Sequence, residues 1–288
     1  MRIVVVGAGS VGSNLAHAFE LKGIRVELVH GRPITADPSP TVELPPADCY
    51  IYAIADHALK EVVAKIHAPQ ALHLHTSGSM PIDVFGDDKP HAGVMYFFQS
   101  FSRTHLIDDW SSIPCFIEGR YIDDIAAIYS LAQNLTGHIY EASQHDRERL
   151  HVAGVFANNC TNLMYRMAAQ VLRGTQIPFE ALLPLIDQTA AKVHTMTPTE
   201  AQTGPAMRDD IDVIMRHAAI LYSVEEDEFS TTDMTYAYLN SAQAIYSAHH
   251  DHKEDVSFTD LLSQALEALN EKGHGRQAQA RRRGLFPE

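Results

Sequence analysis

Hydrophobic positions in the first half of the chain come in short unbroken runs bounded by glycine or proline. In the second half they recur every three or four residues. Residues 2–6, β-branched after Arg2, and the apolar run 49–55 read as fully buried parallel strands. Further strands are expected at 25–30, 71–76, 92–98, 114–118 and 138–141. Helical spacing fills 13–22, 57–66 and 121–135, with Gly23 placed to end the first of these helices. Residues 32–46 are rich in proline and read as a loop with at most one short strand. This alternation predicts an α/β domain built on a doubly wound parallel sheet. From residue 144 only helical periods remain. Residues 144–172 read as one long helix whose apolar face holds Val152, Phe156, Cys160, Leu163, Met167 and Val171. Pro178 suits the first position of the next helix, and 209–222 and 229–249 follow. Ser257-Phe258-Thr259-Asp260 resembles a capping box before a last helix at 258–272. The change of pattern sets the expected domains: 1–142 for the sheet, and 143–288 for an all-α helical domain.

A length of 288 residues accommodates two domains, and 45% hydrophobic with 20% charged residues is ordinary globular composition. No apolar stretch approaches the roughly 20 residues of a membrane span, and the N-terminus lacks the features of a signal peptide. The net charge of -14 is shared evenly between the halves, which argues against nucleic acid or an anionic membrane as partner. Arg281-Arg282-Arg283 reads as a solvated tail. Cys49, Cys115 and Cys160 are odd in number and form no CxxC pair, so a reducing cytoplasm is the expected location.

Gly7-Ala8-Gly9-Ser10-Val11-Gly12 follows a buried strand and opens a helix, the context in which GxGxxG signals dinucleotide binding. Gly7 permits the tight turn, Gly9 clears space for a pyrophosphate, and Gly12 lets the helix pack close to the sheet. The free N–H groups of the helix N-terminus face the anion. An acidic residue about 20 positions on would select NAD; the chain has His30-Gly31-Arg32 instead. Arg32 suits a 2′-phosphate, so NADP is the expected cofactor. Ala53, Ile54 and Ala55 end another strand at the same sheet edge, where small residues allow a ribose to lie against backbone or a helix to pack. His75, Ser77 and Ser79 end a further strand there, as nicotinamide or substrate contacts or as a plain turn. On the long helix His151, Asn158 and Asn162 fall within about 40° of each other at 100° per residue. Asn and the nearby Gly154 are poor helix formers, which favours a stripe facing a cleft over a solvated face. His151 is the candidate proton donor, since an unperturbed imidazole titrates near ~6.5. Asn158 would orient the substrate, and Ser77 would approach from the sheet. Arg208 is a candidate for a substrate carboxylate, with Asp209, Asp210 and Asp212 suiting a helix N-terminus. His249-His250-Asp251-His252 reads as a polar helix end rather than a metal site.

Several of these segments resemble a known group. Residues 7–12, Ala53-Ile54-Ala55-Asp56 and His75-Thr76-Ser77-Gly78-Ser79 look like the Rossmann-like proteins provisionally assigned as NADP oxidoreductases, which carry a C-terminal helical domain of unknown function. The resemblance continues in Gln99-Ser100-Phe101-Ser102, in Ala153-Gly154-Val155-Phe156-Ala157-Asn158-Asn159, and in Thr203-Gly204-Pro205 with Arg208-Asp209. Wider relatives are pyrroline-5-carboxylate reductase, ketopantoate reductase and the β-hydroxyacid dehydrogenases. The resemblance implies a Rossmann domain, an all-helical domain built around one long helix, and a homodimer. The hydroxyacid dehydrogenases place a catalytic lysine on that helix; no lysine occurs between Gln144 and Leu172. Met95-Tyr96-Phe97-Phe98 also replaces the His-Pro-like segment that similar proteins keep before Gln-Ser-Phe. Two functions are therefore expected: hydride transfer between NADP(H) and a small carbonyl, imine or hydroxy-acid compound, or NADP-dependent regulation without turnover.

Overall fold

A computed structural model describes residues 1–250 of the chain. It divides into two compact units, Met1–Asn159 and Cys160 onward. The sheet ends with the strand before residue 142, near the expected boundary, but the first unit also keeps the helix that follows. The expected helix at 258–272, its capping box and the arginine run lie outside the described residues.

The first unit alternates β1 (Ile3–Val6), α1 (Ser10–Leu21), β2 (Val26–Val29), α2 (Gly31–Ala36), β3 (Cys49–Tyr52), α3 (Asp56–Lys65), β4 (Leu72–His75), β5 (Ala92–Phe97), β6 (Cys115–Gly119), α4 (Ile122–Ala132), β7 (Ile139–Glu141) and α5 (Gln144–Gly154). The strands form one sheet in the order β2-β1-β3-β4-β5-β6-β7. All neighbours pair parallel except β5 and β6. The sheet is thus mostly parallel, as expected, with one antiparallel pair that the sequence reading did not specify. The segment joining β5 to β6 contains no crossover helix, so the chain turns back at the same sheet edge.

Side-chain alternation divides the interior into two layers. Ile3 and Val5, Cys49 and Ile51, and Leu72 and Leu74 face one layer, with Leu15 and Phe19 of α1, Trp110, and Ile128 of α4. Val4 and Val6, and Tyr50 and Tyr52, face the other, with Ile34, Leu59, Val62 and Phe85. A sheet buried on both faces explains the unbroken apolar runs of the sequence. The loop reading of 32–46 needs correction at its start: Gly31–Ala36 is a short helix, held by buried Ile34. No strand forms among residues 32–46.

The long helix is not uniform. After α5 the backbone widens into a π-helical stretch, Val155–Cys160, before α6 (Thr161–Val171) resumes. The first two residues of its expected apolar face are exposed, Val152 at 56% and Phe156 at 69%, while Cys160, Leu163, Met167 and Val171 are half-buried.

The second unit, among the described residues, holds only helices: α6, α7 (Leu183–Lys192), α8 (Pro198–Ala201), α9 (Ile211–Leu221) and α10 (Thr231–His249). Pro178 precedes a 3₁₀ turn, and it is Pro184 that sits in the first turn of α7. Ile214, Ala218, Leu239, Ala242 and Tyr246 form the core of α9 and α10. Buried Gln170 ties α6 to the turn before α10, its amide donating to the carbonyls of Glu225 and Phe229 and accepting from Phe229 N–H. Asp209 lies outside α9, in the left-handed region at φ 54°; Asp210 caps that helix by accepting from Val213 N–H. Arg208 closes the preceding 3₁₀ turn. Imidazole nitrogens of His249 and His250 bond the carbonyls of Ile245 and Tyr246, the behaviour of a helix end; Asp251 and His252 lie outside the described residues. No helix among the described residues is long and apolar enough to cross a membrane.

Candidate functional site

The strands β1, β3, β4 and β5 all end at one sheet edge, and two cavities open there. The larger, about 830 Å³, is lined by Gly7, Ala8, Gly9, His30, Arg32, Ala53, Ile54 and Ala55, with Arg103, Thr35, His57 and Glu61. The sequence-derived cofactor residues are thereby brought together, except that Ser10, Val11 and Gly12 lie within α1, which starts at Ser10.

The glycine turn is built from tight contacts. Gly7 adopts φ +118°, a region side chains avoid, and its N–H donates to Val29 O at 2.7 Å. A Cβ on Gly7 would overlap the Ala53 carbonyl, and one on Gly12 would overlap the Gly7 carbonyl. Gly9 differs: a Cβ there would meet no atom within 4 Å. It would project into open space beside the helix N-terminus, whose first N–H groups lack intrahelical partners. Glycine is needed at Gly7 and Gly12 by the protein itself, whereas at Gly9 only a ligand would contest the space. This cradle and its cations fit a dinucleotide.

Arg32 is placed by α2. Lys65 on α3 donates to the carbonyls of Ile34 (3.1 Å) and Asp37 (2.8 Å), satisfying the end of that short helix. Arg103, His57 and Thr35 carry no motif in the sequence and were missed there; only the fold brings them to the cleft. Thr35 Oγ1 donates to the Arg32 carbonyl at 3.0 Å, but the Arg32 and Arg103 guanidiniums make no hydrogen bond or ion pair with a described residue. The cleft therefore presents two free guanidiniums in a chain of net charge -14.

The smaller cavity, about 250 Å³, is lined by Tyr96, Phe98, Gln99, Ser100, His151, Gly154, Val155, Ala157, Asn158 and Asn159. His151 and Asn158 thus share one cavity. Asn162 is not among its lining residues, because the π-helical stretch breaks the 100° register on which the expected stripe rested. Gly154 is needed for packing, since a Cβ there would come within 2.6 Å of the Phe98 ring. Tyr96 is the residue that sequence reading passed over. Its hydroxyl lies 3.2 Å from His151 Nδ1, and partial burial raises its pKa, so it stays protonated near neutrality. Its signal in the sequence was the departure at Met95-Tyr96-Phe97-Phe98.

Ser77 lies in the turn after β4. Its Oγ accepts from the N–H groups of Ser79 and Met80, both at 3.1 Å. Ser79 donates to Asp56 at 2.7 Å. Ser77 lines neither cavity, but the turn is close: a Cβ on Gly78 would stand 2.8 Å from the Tyr96 ring. His75 is fully buried and stacked on Phe85, because its position in β4 points it into the aromatic layer rather than the edge. Burial and the nearby Arg147 guanidinium lower its pKa to about 4. His73, bonded by Tyr52 Oη and Ala68 O, is likewise lowered to about 4 by burial.

Arg147 supports the helix that carries His151. It is fully buried, donates to Glu118 on β6, and reaches the carbonyls of Ala142 and Met80, each at 3.1 Å.

Residues 113–245 match a domain of unknown function, DUF2520. No curated protein matches the sequence. The chain is similar to a provisionally assigned NADP oxidoreductase from Bacteroides fragilis, with 34% identity and a TM-score of 0.73, covering 85% of this chain and 97% of that one. A Thermotoga maritima protein is 15% identical, with a TM-score of 0.64 over 86% of this chain and all (100%) of its own. An imine reductase from Myxococcus stipitatus, solved with NADP+, is 14% identical, with a TM-score of 0.55 over 93% and 95% of the two chains. These last two share the fold. The chain belongs to the Rossmann-like NADP oxidoreductase family of which the Bacteroides fragilis protein is a member.

Proposed function

We propose that the protein binds NADP(H) along the carboxyl edge of its sheet and transfers hydride to or from a small carbonyl, imine or hydroxy-acid compound. The observation that carries this reading is the larger cleft, where the Gly9 space, the α1 N-terminus and Arg32 converge. In an open α/β sheet the adenosine end lies beyond β2, where Arg32 would pair with a 2′-phosphate. The other end then runs toward the strands β4 and β5 and the smaller cavity. The cofactor, when bound, supplies the hydride. Reduction of a carbonyl leaves an oxyanion, which needs a proton donor within hydrogen-bond reach. His151 takes that role, Tyr96 holds its ring through the hydroxyl, and Asn158 orients the substrate. Ser77 serves from the sheet side through the turn it shapes. The bare helix faces are consistent with a homodimer, and the lack of disulfides among the three cysteines with a cytoplasmic setting.

The test has two stages. Titration calorimetry with NADPH and NADH measures binding, and Arg32→Ala should weaken NADPH more than NADH. Oxidation of NADPH is then screened against keto acids, imines and aldehydes. With a substrate in hand, His151→Ala should cut turnover by roughly 10²–10⁴-fold and leave NADPH affinity nearly unchanged. The absence of lysine between Gln144 and Leu172 favours a second reading, a cofactor-binding regulator. NADPH binding with no turnover on any of these substrates would support it.

A further inference from the structure

Arg103 has no counterpart in any nucleotide motif, and the loop that carries it is fastened with unusual care. Asn14, on α1, is fully buried, though asparagine is a poor mid-helix residue. Its amide donates to Ser10 O (2.8 Å) and to Ser102 O (2.6 Å), and its oxygen accepts from Ile107 N–H (2.9 Å). Every strong bond it makes beyond its own turn goes to the loop between β5 and β6. One turn further along α1, His17 Nε2 bonds Asp108 at 2.7 Å. Phe101 and Trp110 pack against each other, centroids 5.2 Å apart, on the layer that includes α1. The loop is thus pinned to the first helix on both sides of Arg103.

We infer that Arg103 is the counter-ion of the cofactor pyrophosphate, adding a side-chain charge to the N–H donors of the α1 N-terminus. This rests on the NADP(H) reading of the larger cleft. Arg32 and Arg103 line the same cleft from different segments, Arg32 in α2 and Arg103 in the loop between β5 and β6. Arg32 follows β2, the strand whose end receives the ribose of the adenosine. Arg103 follows Ser102, which is bonded to the second turn of α1, and so stands on the side of the glycine turn. A guanidinium with no protein carboxylate to neutralise it is suited to a phosphate by its fork of donors. The two arginines then divide the ligand's anions: the 2′-phosphate to Arg32, the pyrophosphate to Arg103.

Calorimetry on the full chain separates these roles with three probes: NADPH, ADP-ribose, which has the pyrophosphate without the 2′-phosphate, and adenosine 2′-phosphate, which has the reverse. Arg103→Ala should weaken NADPH and ADP-ribose each by roughly 10–100-fold and leave adenosine 2′-phosphate within about 2-fold, the loss of one charge-assisted bond. Arg103→Lys should recover part of the loss. Arg32→Ala should show the opposite selectivity. Since Arg103 is exposed, an unchanged melting temperature is expected and confirms that the variant is folded. If wild-type protein binds NADPH and Arg103→Ala binds it equally well, the inference is overturned. It is also overturned if the loss falls on adenosine 2′-phosphate. If wild-type protein binds no NADPH, the cofactor reading itself fails, whatever Arg103 does.

Discussion

The three glycines of the first turn serve two masters, and single added methyl groups tell them apart. At Gly12 a methyl runs into the Gly7 carbonyl and at Gly9 it meets open space. Gly12→Ala should therefore cost stability, by about 1–3 kcal/mol for overpacking, read in a denaturant titration. Gly9→Ala should unfold as wild type does and yet lose NADPH affinity by calorimetry. Buried histidines add a pH dependence. His73 and His75 have folded-state pKa values of about 4, below the ordinary ~6.5 of an unfolded chain. Between those values the unfolded chain takes up protons that the native one refuses. Stability should be unaffected above pH ~6.5 and fall as the pH drops toward 4, by up to about 1.4 kcal/mol per pH unit for each histidine. Unfolding of His75→Gln at pH 7 and pH 5 checks this: the variant should show the shallower decline.

Among the elements, α5 depends on one residue. Arg147 joins it to β6, to the end of β7 and to the loop at Met80. Arg147→Met should destabilise by about 3–5 kcal/mol, because Glu118 and two carbonyls lose their donor; chemical denaturation with hydrogen exchange across 144–154 would measure it. The strands were legible because burial on both faces leaves only apolar residues, so Ile3–Val6 and Cys49–Tyr52 declare themselves. Pairing direction is not written locally, and so the antiparallel β5–β6 pair was not foreseen. The π-helical stretch escaped for a related reason: no residue type announces it, although its wider turns shift the residues beyond it out of the 100° register. His151 and Asn158 share a cavity even so, but Asn162 does not. The site was legible where the chain is contiguous, in the glycine turn and Arg32. It was illegible where strands distant in sequence supply the side chain, as with Tyr96 and Arg103.

At the scale of the molecule, the helices of the second unit expose several apolar side chains among the described residues. No residue of α7 is buried, and Leu185 is 66% and Val193 52% exposed. With the homodimer proposed above, sedimentation should give a dimer at micromolar concentration, and Leu185→Glu should shift it toward monomer. The stretch from Gln99 to Arg103 joins the walls of the two cavities. Gln99 and Ser100 line the smaller cavity, and Arg103, three residues on, lines the larger. A phosphate drawn to Arg103 would settle the backbone that shapes the other cavity's wall. Steady-state kinetics should then show compulsory-order addition, the nucleotide entering first and leaving last. Oxidised nucleotide would compete with reduced nucleotide, while the organic product would inhibit noncompetitively against it. Product-inhibition patterns of random order would mean that the two ends of this short segment respond independently.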